Sequence, residues 1–370
     1  MKYGVFGGAF DPFHNEHLKI IENSIIDLQL DKLIIVPSCN PPHKSPSTDF
    51  KKRVDIINLY VGQNPNIIVD EIENELHLTE SYTYLILEKL INKYGRDICF
   101  IMGGDSLIAF KDWMRPDKIA DLAPIVVYPR GDMQEMLTAK SLAEDKFNAS
   151  IRLLNLPLCN VSSTYIRLLL EIGSSKATKY ISNDAYNYIT KNNIYNNNKK
   201  LLKLLQLELN DKTYVHSLNT AECALELAWK SSNINLNDVF IAALLHDCAK
   251  KDVVFDRRYD GINESVVHQY TSADKAHSLF GVNNPDVLDA IRYHTTGKPN
   301  MTKLGKIVYL ADKIESSRIY DGVEDLRYCA YKDIDKGFVR TLKLSFAHTT
   351  ECKQKLDILT KITLSWYNAI

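Results

Sequence analysis

Apolar residues in the first half of the chain come in short continuous runs, each stopped by glycine, proline or charge. The runs are KYGVF from Lys2, KLIIVP from Lys32, NIIVDEI from Asn66, DICFIMGGD from Asp97 and PIVVYPR from Pro124. Runs of this length with such stops predict buried strands. Between them the spacing changes to that of a helix. Leu18, Ile21, Ile25 and Leu28 recur at helical intervals, Lys51 to Val61 does the same, and SYTYLILEKLINKYG reads as a helix ending at Gly95. Strands alternating with helices predict a parallel sheet covered on both faces. Glycines at strand ends then mark a ligand crevice.

Near residue 195 the pattern breaks. KNNIYNNNKK is polar and rich in asparagine, and reads as a linker with no core to offer. Beyond it only helical periodicity remains. Asn198–Leu209, Leu218–Trp229, Val239–Leu245, Val287–Tyr293, Lys303–Ile314, Phe338–His348 and Lys353–Trp366 carry apolar residues three and four apart. The expected organisation is an α/β domain over residues 1–195 and an all-α helical bundle over 196–370.

Composition adds limits. The 370 residues hold 45 Lys and Arg against 46 Asp and Glu, a formal net charge of -1. That balance argues against a dedicated nucleic-acid or membrane-surface binder. No apolar run approaches the ~18 residues of a membrane span, and the N-terminus lacks a signal pattern. Seven scattered cysteines, none in a CxxC pair, read as reduced thiols of a cytoplasmic protein. A homo-oligomer stays open.

Candidate chemistry begins at GGAFDPFHNEH, Gly7 to His17. Glycines after a strand let backbone N–H groups approach an anion, and the following helix start adds the positive end of its dipole. His14 and His17, three apart, face one side of that helix and can donate to phosphate. NVSSTYIR, Asn160 to Arg167, is a second cradle: Ser162 or Ser163 can cap a helix, and Arg167 lies about one turn in.

These two segments resemble the bacterial nicotinate mononucleotide adenylyltransferase family of the HxGH nucleotidyltransferase superfamily. PSCNPPHK, SYT, FIMGGDSL with Trp113 beyond it, YPRGD and YISNDAYNYITKNNIY look like further family motifs in order, so the resemblance spans roughly residues 1–195. It implies a Rossmann-like domain that joins ATP and nicotinate mononucleotide into deamido-NAD and pyrophosphate, with Mg2+ accompanying ATP. It assigns His14, His17 and Arg167 to the ATP phosphates, beside Gly7, Gly8, Ala9, Phe10, Ser162, Ser163 and Ile166. Gly103 and Asp105 would face adenosine. His43, Lys44, Tyr82, Thr83, Trp113 and Arg130 would meet the mononucleotide. Several positions depart from the family pattern. Glu16 replaces the glycine of HxGH, Ala9 a Ser or Thr, His77 an Arg, and Leu85-Ile86 an Asp-Thr pair. Glu16 is expected to turn to solvent toward Lys19.

The second half places His216, His246, Asp247, His268, His294 and Asp312 on or beside separate apolar helices. A carboxylate such as Asp312 inside an apolar stretch is expensive without a partner. Imidazoles and carboxylates converging in a bundle satisfy one another through a metal. HSLNTAECA, HDCAK and YHTTGKPNMTKLGKIVYLADKIESSR resemble the HD superfamily of metal-dependent phosphohydrolases, and in particular the symmetric diadenosine tetraphosphate hydrolases. That resemblance implies cleavage of diadenosine tetraphosphate to two ADP. It makes His216, His246, Asp247 and Asp312 ligands of a primary metal, with His268 and His294 at a second metal position or on phosphate. Lys250 and Arg318 are candidate phosphate cations. The resemblance suggests iron, while Mn, Ni and Zn fit the ligand types as well. Other readings stay open: another phosphorylated acceptor for the first domain, a nucleoside monophosphate or guanosine alarmone for the second, or a nucleotide sensor with one degenerate domain.

Overall fold

The computed structural model describes residues 1–41, 46–62, 64–76, 81–157, 161–230, 234–251, 259, 262–352 and 355–368. The chain divides into two compact units, one of Met1–Leu170 with Ser175–Asn196, the other of Glu171–Ser174 with Asn197–Ile370.

The first unit runs β1 (Tyr3–Gly8), α1 (Asn15–Leu28), β2 (Lys32–Pro37), α2 (Phe50–Val61), β3 (Ile67–Val69), α3 (Ile72–Glu75), α4 (Thr83–Tyr94), β4 (Ile98–Gly103), α5 (Gly104–Ala109), α6 (Pro116–Leu122), β5 (Ile125–Tyr128), α7 (Met133–Phe147), β6 (Ile151–Leu153), α8 (Ser163–Glu171) and α9 (Asn183–Lys191). All strand pairs are parallel, in the order β3-β2-β1-β4-β5-β6. The apolar runs are continuous because alternate residues enter two different cores. Phe6, Leu33, Ile35, Ile101 and Val126 pack with α1, α2, α8 and α9. Val5, Ile34, Val36, Phe100 and Val127 pack with α4, α6 and α7. The chain reverses its direction of winding between β1 and β4, so the crevice falls at their carboxyl ends, beside Gly8 and Gly103.

The sequence pattern missed β6, whose three residues IRL carry too little alternation to register, and α7, where only Met136 and Ala143 are buried. KNNIYNNNKK also differs from expectation. Ile194 and Tyr195 are buried, 6% and 4% exposed, in the core shared by α1 and α9, so part of the polar stretch belongs to the first unit's packing. The asparagines around them obscure two apolar anchors.

The second unit holds α10 (Lys199–Glu208), α11 (Asp211–Lys230), α12 (Leu236–Leu245), α13 (Val267–Ser278), α14 (Pro285–Arg292), α15 (Lys303–Ile314), α16 (Val323–Lys332), α17 (Ile334–Glu351) and α18 (Ile358–Asn368). No strand occurs among its described residues. Val239, Phe240, Ala242, Ala243, Leu244 and Leu245 of α12 are all fully buried, so this helix is the centre of the bundle. Gly337 lets α17 approach α16: a Cβ there would lie 2.6 Å from the Ala330 backbone. Helices α13 and α16 escaped the sequence reading because their buried positions are largely Gln, Thr, Ser and Ala in α13 and few in α16.

Candidate active sites of the two units

At the switch point of the sheet a cleft of about 660 Å³ opens, within the range of small-molecule sites. Gly7, Gly8, Ala9, Phe10, His17, Tyr82, Thr83, Asp105, Trp113, Arg130, Ser162, Ser163 and Arg167 line it. His14, Gly103 and Ile166 do not form its wall, and His43, Lys44 and His77 lie outside the described residues. Gly103 and Ile166 are buried behind it, the latter fully inside the α8 core.

The turn after β1 is built tightly. A Cβ on Gly7 would meet its nearest atom, of Phe100, only at 3.9 Å, so this edge of backbone is open. Phe10 adopts a left-handed backbone, φ 47°, uncommon for a bulky residue. Its ring is 3% exposed and packs on Phe6, Phe13 and His17, so Phe10 offers the cleft its backbone. Arg53, fully buried, donates to the Ala9 carbonyl at 2.6 Å and anchors the same turn.

His14 precedes the first turn of α1, and its backbone N–H donates to His17 Nδ1 at 3.2 Å. The two rings stack at 3.6 Å. His14 is 1% exposed and neither of its ring nitrogens has a hydrogen-bond partner among the described residues. Burial, helped by the Arg130 charge, holds its pKa down to about 3. The ring therefore stays neutral well into acid, where an exposed histidine takes a proton. In the unfolded chain His14 takes a proton near pH 6.5, in the folded chain only near 3. Stability should thus fall as pH drops below about 6.5, by up to about 1.4 kcal/mol per unit. Equilibrium unfolding of the first unit should show this slope, and His14→Gln should flatten it.

Glu16 has turned away, as expected: its carboxylate meets Lys19 Nζ at 2.6 Å and forms no part of the cleft wall. Arg167 projects from α8. Its guanidinium donates to the Asp11 carbonyl, lies 3.6 Å from the Asp11 carboxylate, and donates to Thr164 Oγ1 at 3.0 Å. Ser163 Oγ donates to the Pro12 carbonyl at 3.2 Å, so its hydroxyl ties α8 to the β1–α1 turn. Asp11 also accepts from the Ser47 N–H and hydroxyl at 2.7 and 2.8 Å. Asp11 was not singled out in the sequence, although it sits inside the first quoted motif; an aspartate before proline reads equally well as a turn residue. Across the cleft, Arg130 Nε lies 3.4 Å from Asp105. Gly104 permits this close approach, since a Cβ there would lie 2.5 Å from the Arg130 carbonyl oxygen. Trp113 serves the core and the cleft together: it packs edge-on against Phe110 at 5.7 Å and also lines the opening.

In the second unit the six predicted residues converge from five helices. His216 comes from α11, His246 and Asp247 from the end of α12, His268 from α13, His294 from the end of α14, and Asp312 from α15. His216 Nε2 lies 3.0 Å from Asp312 Oδ1 and 3.2 Å from His246 Nε2. His246 Nε2 is 3.3 Å from Asp247 Oδ2, and His294 Nε2 is 3.4 Å from Asp247 Oδ1. Two sets of ligand atoms are close enough to share an ion: His216, His246 and Asp312, and His246, Asp247 and His294. His268 stands at the rim, 3.7 Å from Asp247 Oδ1 and 3.0 Å from Thr295 Oγ1, in neither set. His277 stands apart from the cluster, its Nδ1 2.9 Å from the Val282 carbonyl.

The outer ring nitrogens are already spoken for. Nδ1 of His246 meets the Ala243 carbonyl at 2.7 Å, Nδ1 of His294 the Ile291 carbonyl at 2.7 Å, and Nδ1 of His216 the Glu315 carboxylate at 3.1 Å. A neutral imidazole whose Nδ1 donates has only a lone pair on Nε2. Three lone pairs and two buried carboxylates thus face one another, and Asp247 Oδ1 has no hydrogen-bond partner among the described residues. A cation resolves that arrangement, so the donor set fits a divalent metal. Without one, protons take its place. Burial opposes protonation of His246, but Asp247 and Asp312 outweigh it and hold its pKa up to about 9. Glu315 was missed in the sequence although it stands in the quoted ADKIE. Burial opposes its ionisation, yet His216 and the Ser317 donors hold it at about 2. Three cations flank the cluster: Lys250 donates to Asp247 at 2.6 Å, Lys313 to Asp312 at 2.6 Å and Arg318 to Asp312 at 2.8 Å.

A parallel sheet with a glycine turn lining the cleft at its switch point fits the class of nucleotide-binding α/β units, and a histidine–aspartate cluster inside helices fits the HD class. Residues 5–169 match the Cytidylyltransferase-like family and residues 213–317 the HD domain family. A Clostridium tetani protein named "Probable nicotinate-nucleotide adenylyltransferase" is 36% identical over 200 residues, 52% of this chain and 98% of its own length. Mycoplasma genitalium and Mycoplasma pneumoniae proteins named "Probable nicotinate-nucleotide adenylyltransferase/Ap4A hydrolase" are 28% and 25% identical, each over 92% of this chain and 96% and 97% of their own lengths. The chain belongs to the nicotinate-nucleotide adenylyltransferase family, with an HD domain following on the same polypeptide. None of the described helices is long and apolar enough to cross a membrane.

Proposed function

We infer that this chain is a bifunctional enzyme: a nicotinate-nucleotide adenylyltransferase joined to a symmetric diadenosine tetraphosphate hydrolase. The observation that carries it is two separate sites, each with its own donor set, in a chain alignable along 92% of its length with proteins bearing both names.

In the first unit, a phosphate oxygen of nicotinate mononucleotide attacks the α-phosphorus of ATP. The new P–O bond forms as the bond to pyrophosphate breaks, with no covalent enzyme intermediate. Backbone N–H groups along Gly7, Gly8, Ala9 and Phe10 hold the phosphates, with His17 and Arg167 as side-chain donors. His14, behind His17 and neutral, is available to donate one N–H to the same phosphates. Ser162 and Ile166 start the α8 turn that presents Arg167. Asp105 borders the adenosine, with Gly103 behind it at the end of β4. His43, Lys44 and Arg130 hold mononucleotide phosphate, and Tyr82, Thr83 and Trp113 enclose the pyridine ring. Magnesium accompanies the triphosphate. The work is positioning and charge stabilisation. With Glu16 paired to Lys19, Glu16→Gly should change the Michaelis constant for ATP only a few-fold. A gain of about a hundredfold (~2.7 kcal/mol) would show that the glutamate obstructs the site.

In the second unit, His216, His246, Asp247, His294 and Asp312 hold the metal, and His268 borders it as a phosphate contact. Metal ions bound there supply an activated water and polarise a phosphoryl oxygen. Iron is the proposed metal, and Mn, Ni or Zn suit the same ligands. Glu315 and the carbonyls of Ala243 and Ile291 orient three of the imidazoles. Lys250, Lys313 and Arg318 take up phosphate charge. Water adds across the central P–O–P bridge and two ADP leave.

Purified full-length protein should form deamido-NAD and pyrophosphate from ATP and nicotinate mononucleotide, and should yield two ADP from diadenosine tetraphosphate once a divalent metal is added. Faster turnover with phosphopantetheine, or with nucleoside monophosphates or guanosine tetraphosphate, would replace the respective half of this reading.

A further inference from the structure

A second concavity, of about 770 Å³, lies in the helical unit. None of the metal-cluster residues lines it. One wall is α17, which presents Lys336, Val339, Arg340 and Lys343; the other is Trp366 and Tyr367 of α18, with Lys306 of α15 between them. Four cations and one carboxylate, Asp335, line this groove in a chain whose net charge is -1. Lys336, Arg340 and Lys343 recur at helical spacing, so they form one basic stripe. Their competing partners are weak: Lys336 meets Asp333 at 3.4 Å and Arg340 meets Asp325 at 3.5 Å, both exposed pairs. Lys343 has no carboxylate partner among the described residues.

The opposite wall is as unusual. Helix α18 turns Thr360 and Thr363 inward, and leaves Ile358, Ile362 and Trp366 67%, 48% and 44% exposed. Packing of the bundle therefore leaves Trp366 partly open to the groove. Lys306 lies 5.4 Å from the centre of the Tyr367 ring, whereas none of the described aromatic rings stacks on Trp366. A free aromatic face opposite a row of cations recognises a flat aromatic group joined to anionic phosphates. A second copy meeting this groove about a two-fold axis would set the basic stripe near its own like charges. A nucleic acid would use an extended track, whereas this is a local hollow of ligand size.

We propose that the groove between α17 and α18 is an accessory binding site for a nucleoside polyphosphate, its base on Trp366 and its phosphates on Lys336, Arg340 and Lys343. The assignment does not depend on the activity of either catalytic site. The metal-loaded full-length protein carrying Trp113→Phe and Trp229→Phe, which leaves Trp366 as its one tryptophan, is titrated with ADP while tryptophan fluorescence is followed. A saturable quench is expected, weakened at least tenfold in Arg340→Glu/Lys343→Glu. The milder Lys343→Ala variant should weaken it several-fold, which keeps the test valid if charge reversal disturbs folding. Both catalytic activities at saturating substrate should be unchanged in Trp366→Phe. Adenosine alone and tripolyphosphate alone should each bind at least tenfold more weakly than ADP. Absence of a quench from Trp366, or indifference to both charge variants, overturns the site. So does tripolyphosphate binding as well as ADP, or a single-stranded RNA oligonucleotide outcompeting ADP through the same residues.

Discussion

Asp247→Ala should lower diadenosine tetraphosphate hydrolysis by more than a hundredfold and leave deamido-NAD formation at its original rate. Asp247 is fully buried, and its two oxygens face His246 and His294 at 3.3 and 3.4 Å. Losing even an outer partner of a metal ligand commonly costs about 10–100-fold in affinity or activity, and Asp247 is itself a member of one candidate ligand set, with His246 and His294. Deleting the carboxylate also leaves Lys250 without the partner it meets at 2.6 Å and His294 without its facing carboxylate. Metal content, measured by elemental analysis after dialysis, should fall with the activity. Asp247→Asn keeps the volume and separates loss of charge from loss of packing. An Asp247→Ala protein that retained its metal and full hydrolysis would remove the metal assignment, and retained transfer by itself would say nothing against it.

Arg167→Ala should show the reverse split. Adenylyl transfer should fall by about 10²–10³ in kcat, the cost of removing one preorganised donor to a developing charge, while hydrolysis is unaffected. Arg167 also joins α8 to the β1–α1 turn through the Asp11 carbonyl and stands 3.6 Å from the Asp11 carboxylate. Arg167→Lys therefore tests charge against geometry: a lysine keeps the cation but not the planar fork that meets Asp11 and Thr164 together. Recovery of most of the rate by lysine would mean that charge alone matters. An Arg167→Ala enzyme with unchanged kcat and a raised Michaelis constant for ATP would make the residue a ground-state binder.

The two sites were legible in the sequence to different depths. In the helical unit all six residues of the expected cluster meet, because buried histidines and aspartates on apolar helices have few other ways to be satisfied. Its division into two overlapping triads, with His268 at the rim, was not legible; ring orientation is set by the Ala243, Ile291 and Glu315 oxygens, which come from different helices. In the α/β unit the glycine turn and Arg167 border the cleft as expected. His14 is the exception. Its position in the motif places it at a helix start, but burial and the stacked His17 ring, not spacing, decide that it is neutral and set back from the cleft.

The linear pattern alone determined the strand–helix alternation, the change to an all-helical second half, the glycine turn that borders the cleft and the residue types of the histidine–aspartate cluster. Each depends on local periodicity or on a contiguous motif. Tertiary structure decided the rest. It placed Asp11 between Arg167 and Ser47, Glu315 behind His216, Ile194 and Tyr195 in a core that their asparagine-rich surroundings obscure, and Trp366 across a groove from Arg340. These relations join side chains distant in the chain, and a side chain's charge state and exposure depend on the neighbours that folding brings to it.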